Sequence, residues 1–217
     1  MQKEGFTHVS ETQPVYDPRI FLQDTMENAQ AIILTPEVGQ TTQERWEIET
    51  AWLGERIHFS STDTVVLDYG CGVGRIAKII PNPVLGIDIS PTMRTMAPLY
   101  VSRISFDATH PPMLRHLVDN GFRARGAVAI WTLQHVLDLS YDCLLLADAL
   151  MPGSYLWTLD DGKRYVPVNY GDHFTWADDG QSVVDNLANN GFRLKREERP
   201  PLTMCAEGAV FRQWVRM

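Results

Sequence analysis

Short apolar runs alternate with segments of helical periodicity along most of this chain. The runs at 64–68, 84–88, 127–131 and 154–159 are built largely from Val, Ile, Leu, Ala and aromatic residues, and a further strand is expected at 102–106. The run at 127–131, Ala-Val-Ala-Ile-Trp, carries no polar residue, the pattern of a strand buried on both faces. Between the runs, 73–80, 91–100, 112–120 and 139–150 space their apolar positions for helices. Ser90-Pro91 adds an N-cap followed by a first-turn proline. Such alternation predicts an α/β fold: a doubly wound, mostly parallel sheet with right-handed crossovers and helices on both faces.

The two ends read differently. A helix at 179–190 is stopped by Gly191, and strands at 192–199 and 209–216 follow, joined across Pro200-Pro201. Residues 1–40 are polar and interrupted by Pro14, Pro18 and Pro36, with one helical piece expected at 19–29. From 42 to 58, Trp46, Ile48, Ala51, Trp52, Leu53 and Ile57 recur at near-helical spacing. The expected organisation is an N-terminal extension with cap helices over 1–60 and one globular unit over 61–217.

Composition narrows the setting. The chain has 217 residues, 44% hydrophobic and 21% charged, enough for one substantial core. The longest apolar stretch, 143–151, contains Asp148 and is far too short to cross a bilayer. The first residues, Met1-Gln2-Lys3-Glu4-Gly5, lack the apolar core of a signal peptide. Three widely separated cysteines without CxxC spacing argue against a disulfide framework and against a structural metal. A soluble protein of the reducing cytoplasm is expected, with no membrane partner. The net charge of −8 argues against nucleic acid, whose phosphates need Lys and Arg. The one basic cluster, at 193–199, is largely cancelled by Glu197 and Glu198.

The most informative local pattern follows the first strand: Asp68-Tyr69-Gly70-Cys71-Gly72-Val73-Gly74-Arg75, then a second strand ending in Asp88. Glycines let the backbone turn tightly and let a ligand approach, and an acid after the second strand suits ribose hydroxyls. The dinucleotide fingerprint G-x-G-x-x-G needs its third glycine where Arg75 stands. Asp68 beside the loop would oppose a pyrophosphate but favour a ligand carrying an ammonium group. No G-K-[ST] follows, so a P-loop is excluded.

These residues resemble the first motif, D-x-G-x-G-x-G, of the class I S-adenosylmethionine-dependent methyltransferases, matched by Asp68, Gly70, Gly72 and Gly74. The likeness runs over roughly 64–160 and more loosely to the C-terminus. It implies a Rossmann-like, seven-stranded sheet whose last strand is antiparallel and inserted between the fifth and sixth. It implies S-adenosylmethionine as cofactor and S-adenosylhomocysteine as product. By the same resemblance, Asp68 serves the methionine ammonium, and Gly70, Cys71, Gly72 and Gly74 bring the loop backbone against the cofactor. Asp88 accepts the ribose hydroxyls, and Ile89 and Met93 lie against adenine. Asp107 and the Ala108 amide, after the third strand, meet the adenine edge, and Trp131 floors the methionine moiety. Core packing for Met93, a turn cap for Asp107 and an ordinary buried aromatic for Trp131 are the plainer alternatives.

A methyl group on a sulfonium is already electrophilic, so alignment and water exclusion are the main demands on the protein. His135, four residues beyond Trp131, is the acid/base candidate, with a packing role as its alternative. His173, in an insertion at 161–178, is a second candidate. Arg45, Trp46 and Glu49 share a helical face and serve either the cofactor carboxylate, the substrate or helix packing. The strand end Trp131-Thr132-Leu133 lacks an N-P-P-[YFW] motif, and no Glu lies between Glu55 and Glu197. Nor does an acid follow the fourth strand directly, as metal-dependent catechol-type enzymes require. What remains is metal-independent methylation of an O or N atom on a small molecule. A protein or RNA methyltransferase working with a partner, or a cofactor-binding module without catalysis, stands as the alternative.

Overall fold

A computed structural model of the chain describes residues 25–34, 40–167, 175–202, 204 and 208–217. Helices α1 (Met26–Ile33) and α2 (Thr42–Gly54) precede β1 (Val66–Tyr69), β2 (Val84–Ile87), α3 (Pro91–Val101) and β3 (Phe106–Thr109). There follow α4 (Pro111–Asp119), β4 (Ala124–Ile130), a 3-10 turn (Leu133–His135), α5 (Leu139–Ala149) and β5 (Leu150–Asp160). A hairpin of β6 (Lys163–Pro167) and β7 (Thr175–Asp179) leads to α6 (Gln181–Asn189), β8 (Phe192–Glu198) and β9 (Val210–Arg216).

Seven strands form one sheet in the order β3-β2-β1-β4-β5-β9-β8. Strands β1 to β5 are parallel, and β9 runs antiparallel between β5 and β8. The doubly wound sheet with its inserted last strand is therefore present. Period-2 alternation explains why the central strands carry few polar residues. Leu67, Tyr69, Ala127, Ala129 and Leu156 pack on one face with α4, α5 and α6. Val66, Val128, Ile130, Trp157 and Leu159 pack on the other with Leu53, Ile76, Ile80, Ala97 and Val101.

Helix α2 starts at a capping box, in which Thr41 accepts from the Glu44 amide and Glu44 accepts from the Thr41 amide. Its buried face is Arg45, Trp46, Glu49 and Leu53, more polar than a helix face turned to a core usually is. That anomaly belongs to the site described below.

Two expected elements are corrected. Residues 73–80 form consecutive turns rather than an α-helix, with isolated bonds such as Lys78 N to Gly74 O (3.1 Å). Left-handed backbone at Gly72 and Gly74 (φ 51° and 83°) interrupts the repeat there. The strand expected at 102–106 begins only at Phe106, because Ser102 takes the left-handed C-cap of α3 (φ 53°). The insertion at 161–178 contains most of a two-stranded hairpin. Among the described residues no helix is long and apolar enough to cross a membrane.

Candidate functional site

Strand order reverses between β1 and β4, and ligands of open α/β sheets bind outside the carboxyl ends of strands at such a point. A cavity of about 870 Å³ lies there, bounded by the ends of β1, β2 and β4 and by the starts of α4 and α5.

The glycine loop forms one wall through Gly70, Cys71 and Gly72. At Gly70 (φ 76°) a Cβ would fall inside the Thr132 side chain, so only glycine lets β1 and β4 end side by side. The loop folds back on β2, the Gly70 and Cys71 amides both donating to the Ile87 carbonyl. It also presents the Gly72 amide to Asp88 Oδ2 at 2.8 Å, while the Ser90 amide donates to Oδ1 at 2.8 Å. Each carboxylate oxygen keeps further acceptor capacity. Burial pushes the Asp88 carboxyl up from its usual range, against those two amides and the nearby Arg94.

Asp68 is the sharpest feature of the wall. Its carboxylate is 2% exposed, lines the cavity, and has no hydrogen-bond partner for Oδ2. Burial pushes it up to about 7, only partly offset by the Ala77 backbone and the Arg75 charge. Cys71 is a buried free thiol pushed well up by burial, so it stays protonated and serves as a small wall residue.

Other expected site residues divide. Ile89 lines the cavity and is 43% exposed. Met93 meets both of its readings, lining the cavity while packing with Ala29, Leu34, Trp46 and Val73. Gly74 does not line the cavity, and a Cβ there would strike Val101 of α3. Asp107 and Ala108 do not line it either. The late start of β3 puts Asp107 inside the strand, opposite Leu85, where its exposed carboxylate accepts from the Ala108 amide at 2.8 Å. His110, Pro111 and Pro112 border the cavity at that point instead.

On the N-terminal side, α2 sends its polar face to the cavity's edge. Glu49 is fully buried and its Oε1 accepts from Arg75 Nη2 at 2.7 Å and from Trp131 Nε1 at 2.8 Å. Arg45 pairs with its other oxygen at 3.7 Å. Arg45 and Arg75 both line the cavity. Trp46 does not line it: it packs edge-on against Tyr100 and donates to that hydroxyl at 3.3 Å. Trp131 lines the cavity in a left-handed backbone conformation (φ 57°), strained for a bulky side chain and held by its bond to Glu49.

The far end of the cavity is shaped by the 3-10 turn and α5. His135 lines it, with its Nε2 3.0 Å from the Gln134 amide nitrogen, and Gln134 in turn accepts from the Asp161 amide. Arg164 of the hairpin is buried, pairs with Asp178 at 2.6 Å and donates to the Val136 carbonyl, clamping this turn. Sequence reading passed over Tyr69 and Asp142, which hydrogen-bond to each other and both line the cavity. Alternation along β1, which sends Tyr69 to the face opposite Asp68, was the available signal. His173 lies outside the described residues. No cluster of His, Cys, Asp and Glu among the described residues could hold a metal ion.

No protein-family model matches the chain, and no curated protein matches it. Solved structures do. The chain is similar to magnesium protoporphyrin IX methyltransferase from Synechocystis PCC 6803, solved with bound S-adenosylmethionine. That match has 18% identity and a TM-score of 0.62, and covers 92% of this chain and 94% of that one. An S-adenosylmethionine-dependent methyltransferase from Mesorhizobium loti matches at 13% identity and a TM-score of 0.60, covering 79% of this chain and all of that one. A [4+2]-cyclase, SpnF, matches at 16% identity and a TM-score of 0.57, covering 76% of this chain and 64% of that one. The chain thus has the Rossmann-like fold of the class I S-adenosylmethionine-dependent methyltransferases. A methyltransferase and a cyclase on one fold leave the reaction to be argued from the site.

Proposed function

We propose that this chain is a cytoplasmic S-adenosylmethionine-dependent methyltransferase acting, without a metal, on a small-molecule acceptor. One observation carries the reading: the buried Asp68 oxygen without a hydrogen-bond partner, facing the cavity beside a glycine loop and Asp88. An unsatisfied buried carboxylate is costly, and a cationic donor group relieves that cost. The methionine ammonium is such a group.

When bound, the cofactor supplies a methyl group on a positively charged sulfur. The chain's own residues bind and orient it. Asp68 and the loop from Gly70 to Gly72 hold the ammonium, and Asp88 accepts the ribose hydroxyls with its remaining lone pairs. Ile89 and Met93 flank the base, with His110 at its edge in the place Asp107 was expected to fill. Arg45, which lines the cavity, faces the carboxylate. Trp131 closes the floor and limits water near the reacting carbon. The buried free thiols of Cys71 and Cys143 fit a reducing compartment.

Isothermal titration with S-adenosylmethionine and S-adenosylhomocysteine tests the reading. Wild type should bind both. Asp88→Ala should lose roughly 10- to 100-fold, the equivalent of one or two lost hydrogen bonds to a charged group. No binding by wild type, or unchanged binding by the variant, overturns it.

A further inference from the structure

We propose that Asp142, held by Tyr69, receives the acceptor's proton, and that the acceptor is an amine which enters this end of the cavity as its ammonium form. The inference deepens the proposed function and rests on it. Tyr69 comes from the end of β1 and Asp142 from the first turn of α5, so the pair is built by the fold across 73 residues of sequence. Tyr69 is 2% exposed and donates to Asp142 Oδ1, which fixes the carboxylate's direction. Oδ2 of Asp142 holds no hydrogen bond among the described residues, and the residue lines the cavity.

Charge selects the acceptor. The arginines that line the cavity, Arg45, Arg75 and Arg94, lie in α2, the glycine loop and α3, at the end assigned to the cofactor. The residues contributed by the 3-10 turn, α5 and the β5 end include Asp138, Asp142 and Asp161 and neither Lys nor Arg. Asp138 caps α5 through the Tyr141 amide and Asp161 accepts from the Gly162 amide, which leaves Asp142 as the carboxylate directed by a side chain alone. A bound ammonium gives one proton to Asp142 Oδ2 and becomes a neutral amine. Its lone pair then forms the C–N bond as the C–S bond breaks, and that bond's electron pair stays on sulfur. The positive charge ends on the methylated ammonium, and Asp142 releases its proton to solvent.

The groups around Asp142 are Tyr69 from β1 and Asp138 and Cys143 from α5, while His135 and Asp161 line the same cavity. Burial and the neighbouring Asp138 push the Asp142 carboxyl up to about 6, and the Tyr69 hydroxyl opposes that shift. Ammonium uptake therefore rises as pH increases through about 6.

The test is calorimetry on the whole chain saturated with S-adenosylhomocysteine, titrated with 2-phenylethylamine, 2-phenylethanol and phenylacetate as matched probes. The expected result is at least tenfold tighter uptake of the amine, lost in Asp142→Asn while S-adenosylmethionine binding in that variant stays at the wild-type level. Tyr69→Phe should keep amine uptake but move its pH midpoint upward, because the hydroxyl that favours the charged carboxylate is gone. Equal uptake of the three probes, uptake of none, an unaffected Asp142→Asn, or an unmoved midpoint in Tyr69→Phe overturns the inference. Failure of the methyltransferase reading shows separately, as absence of S-adenosylmethionine binding by wild type.

Discussion

Two buried carboxylates stand beside the cavity and differ in the groups around them. Glu49 takes hydrogen bonds on Oε1 from Arg75 of the loop after β1 and from Trp131 at the end of β4, and its Oε2, without a hydrogen bond, lies 3.7 Å from Arg45 on its own helix. Asp68, a few residues before Arg75, is as deeply buried and also leaves one oxygen, Oδ2, without a hydrogen bond, but among the described residues no ion pair is made with it. A buried charge is tolerated when donors or opposite charges surround it, and it costs stability when they do not. Glu49 thus has the environment of a structural tie, joining the N-terminal helix to the cavity floor. Asp68 has the environment of a binding group whose partner comes from outside the chain.

The largest expected effect breaks the tie. Glu49→Ala leaves the buried Arg75 guanidinium without its 2.7 Å ion pair and removes the hydrogen bond that holds Trp131, so a loss of about 3–5 kcal/mol is expected. Chemical denaturation measures it, and a loss below about 1 kcal/mol would remove the distinction between the two carboxylates. Gly74→Ala comes next. With φ at 83° and Val101 occupying the Cβ position, it should lose about 1–3 kcal/mol. Its retained affinity for S-adenosylmethionine would show that this glycine serves packing rather than the cavity.

Asp68→Asn sharpens the comparison through pH. A carboxyl whose folded pKa is about 7 lies above its unfolded value of 3.8. Between those values the folded state holds more protons than the unfolded state, so wild-type stability falls as pH rises from about 4 to about 7 and stays lower above. The asparagine variant lacks that fall and should gain thermal stability over wild type at pH 8 but not at pH 4. Each 1 kcal/mol corresponds to about 2–4 °C for a domain of this size. The same variant should bind S-adenosylmethionine roughly tenfold more weakly.

Asp160→Asn is the matched control with the smallest effect on function. Asp160 is also buried and is pushed up to about 7 by burial, against the Arg212 charge and the neighbouring Thr158 and Gln134. It does not line the cavity. Differential scanning calorimetry should show the same pH-dependent gain as for Asp68→Asn, and titration should show unchanged cofactor affinity. A loss of affinity equal to that of Asp68→Asn would mean that burial, not position, explains both.

Legibility followed the range over which a signal acts. The spacing of Asp68, Gly70, Gly72 and Asp88 is local, because a tight turn after one parallel strand and an acid after the next are set by a few residues each. These positions meet at the cavity as expected. The start of β3 was less legible: Ser102 takes the left-handed cap of α3 and the strand begins at Phe106, with Asp107 exposed inside it. A serine with positive φ has no distinctive sequence signal, since the conformation is imposed by how α3 must end to reach the next strand. Gly74 matched the motif by spacing yet serves the approach of Val101, a demand that only packed elements create.

By itself, then, the sequence determined the alternation of buried strands and helices, the sheet class, and the glycine-acid wall, since periodicity and turn chemistry depend on neighbouring residues. Tertiary structure alone decided the rest. It joins Trp131 to Glu49 across 82 residues, Tyr69 to Asp142 across 73, and the Arg164 hairpin to the turn that carries His135. The reason is physical: these bonds exist because strand order and side-chain alternation bring distant residues to one cavity, and no local pattern records such a meeting.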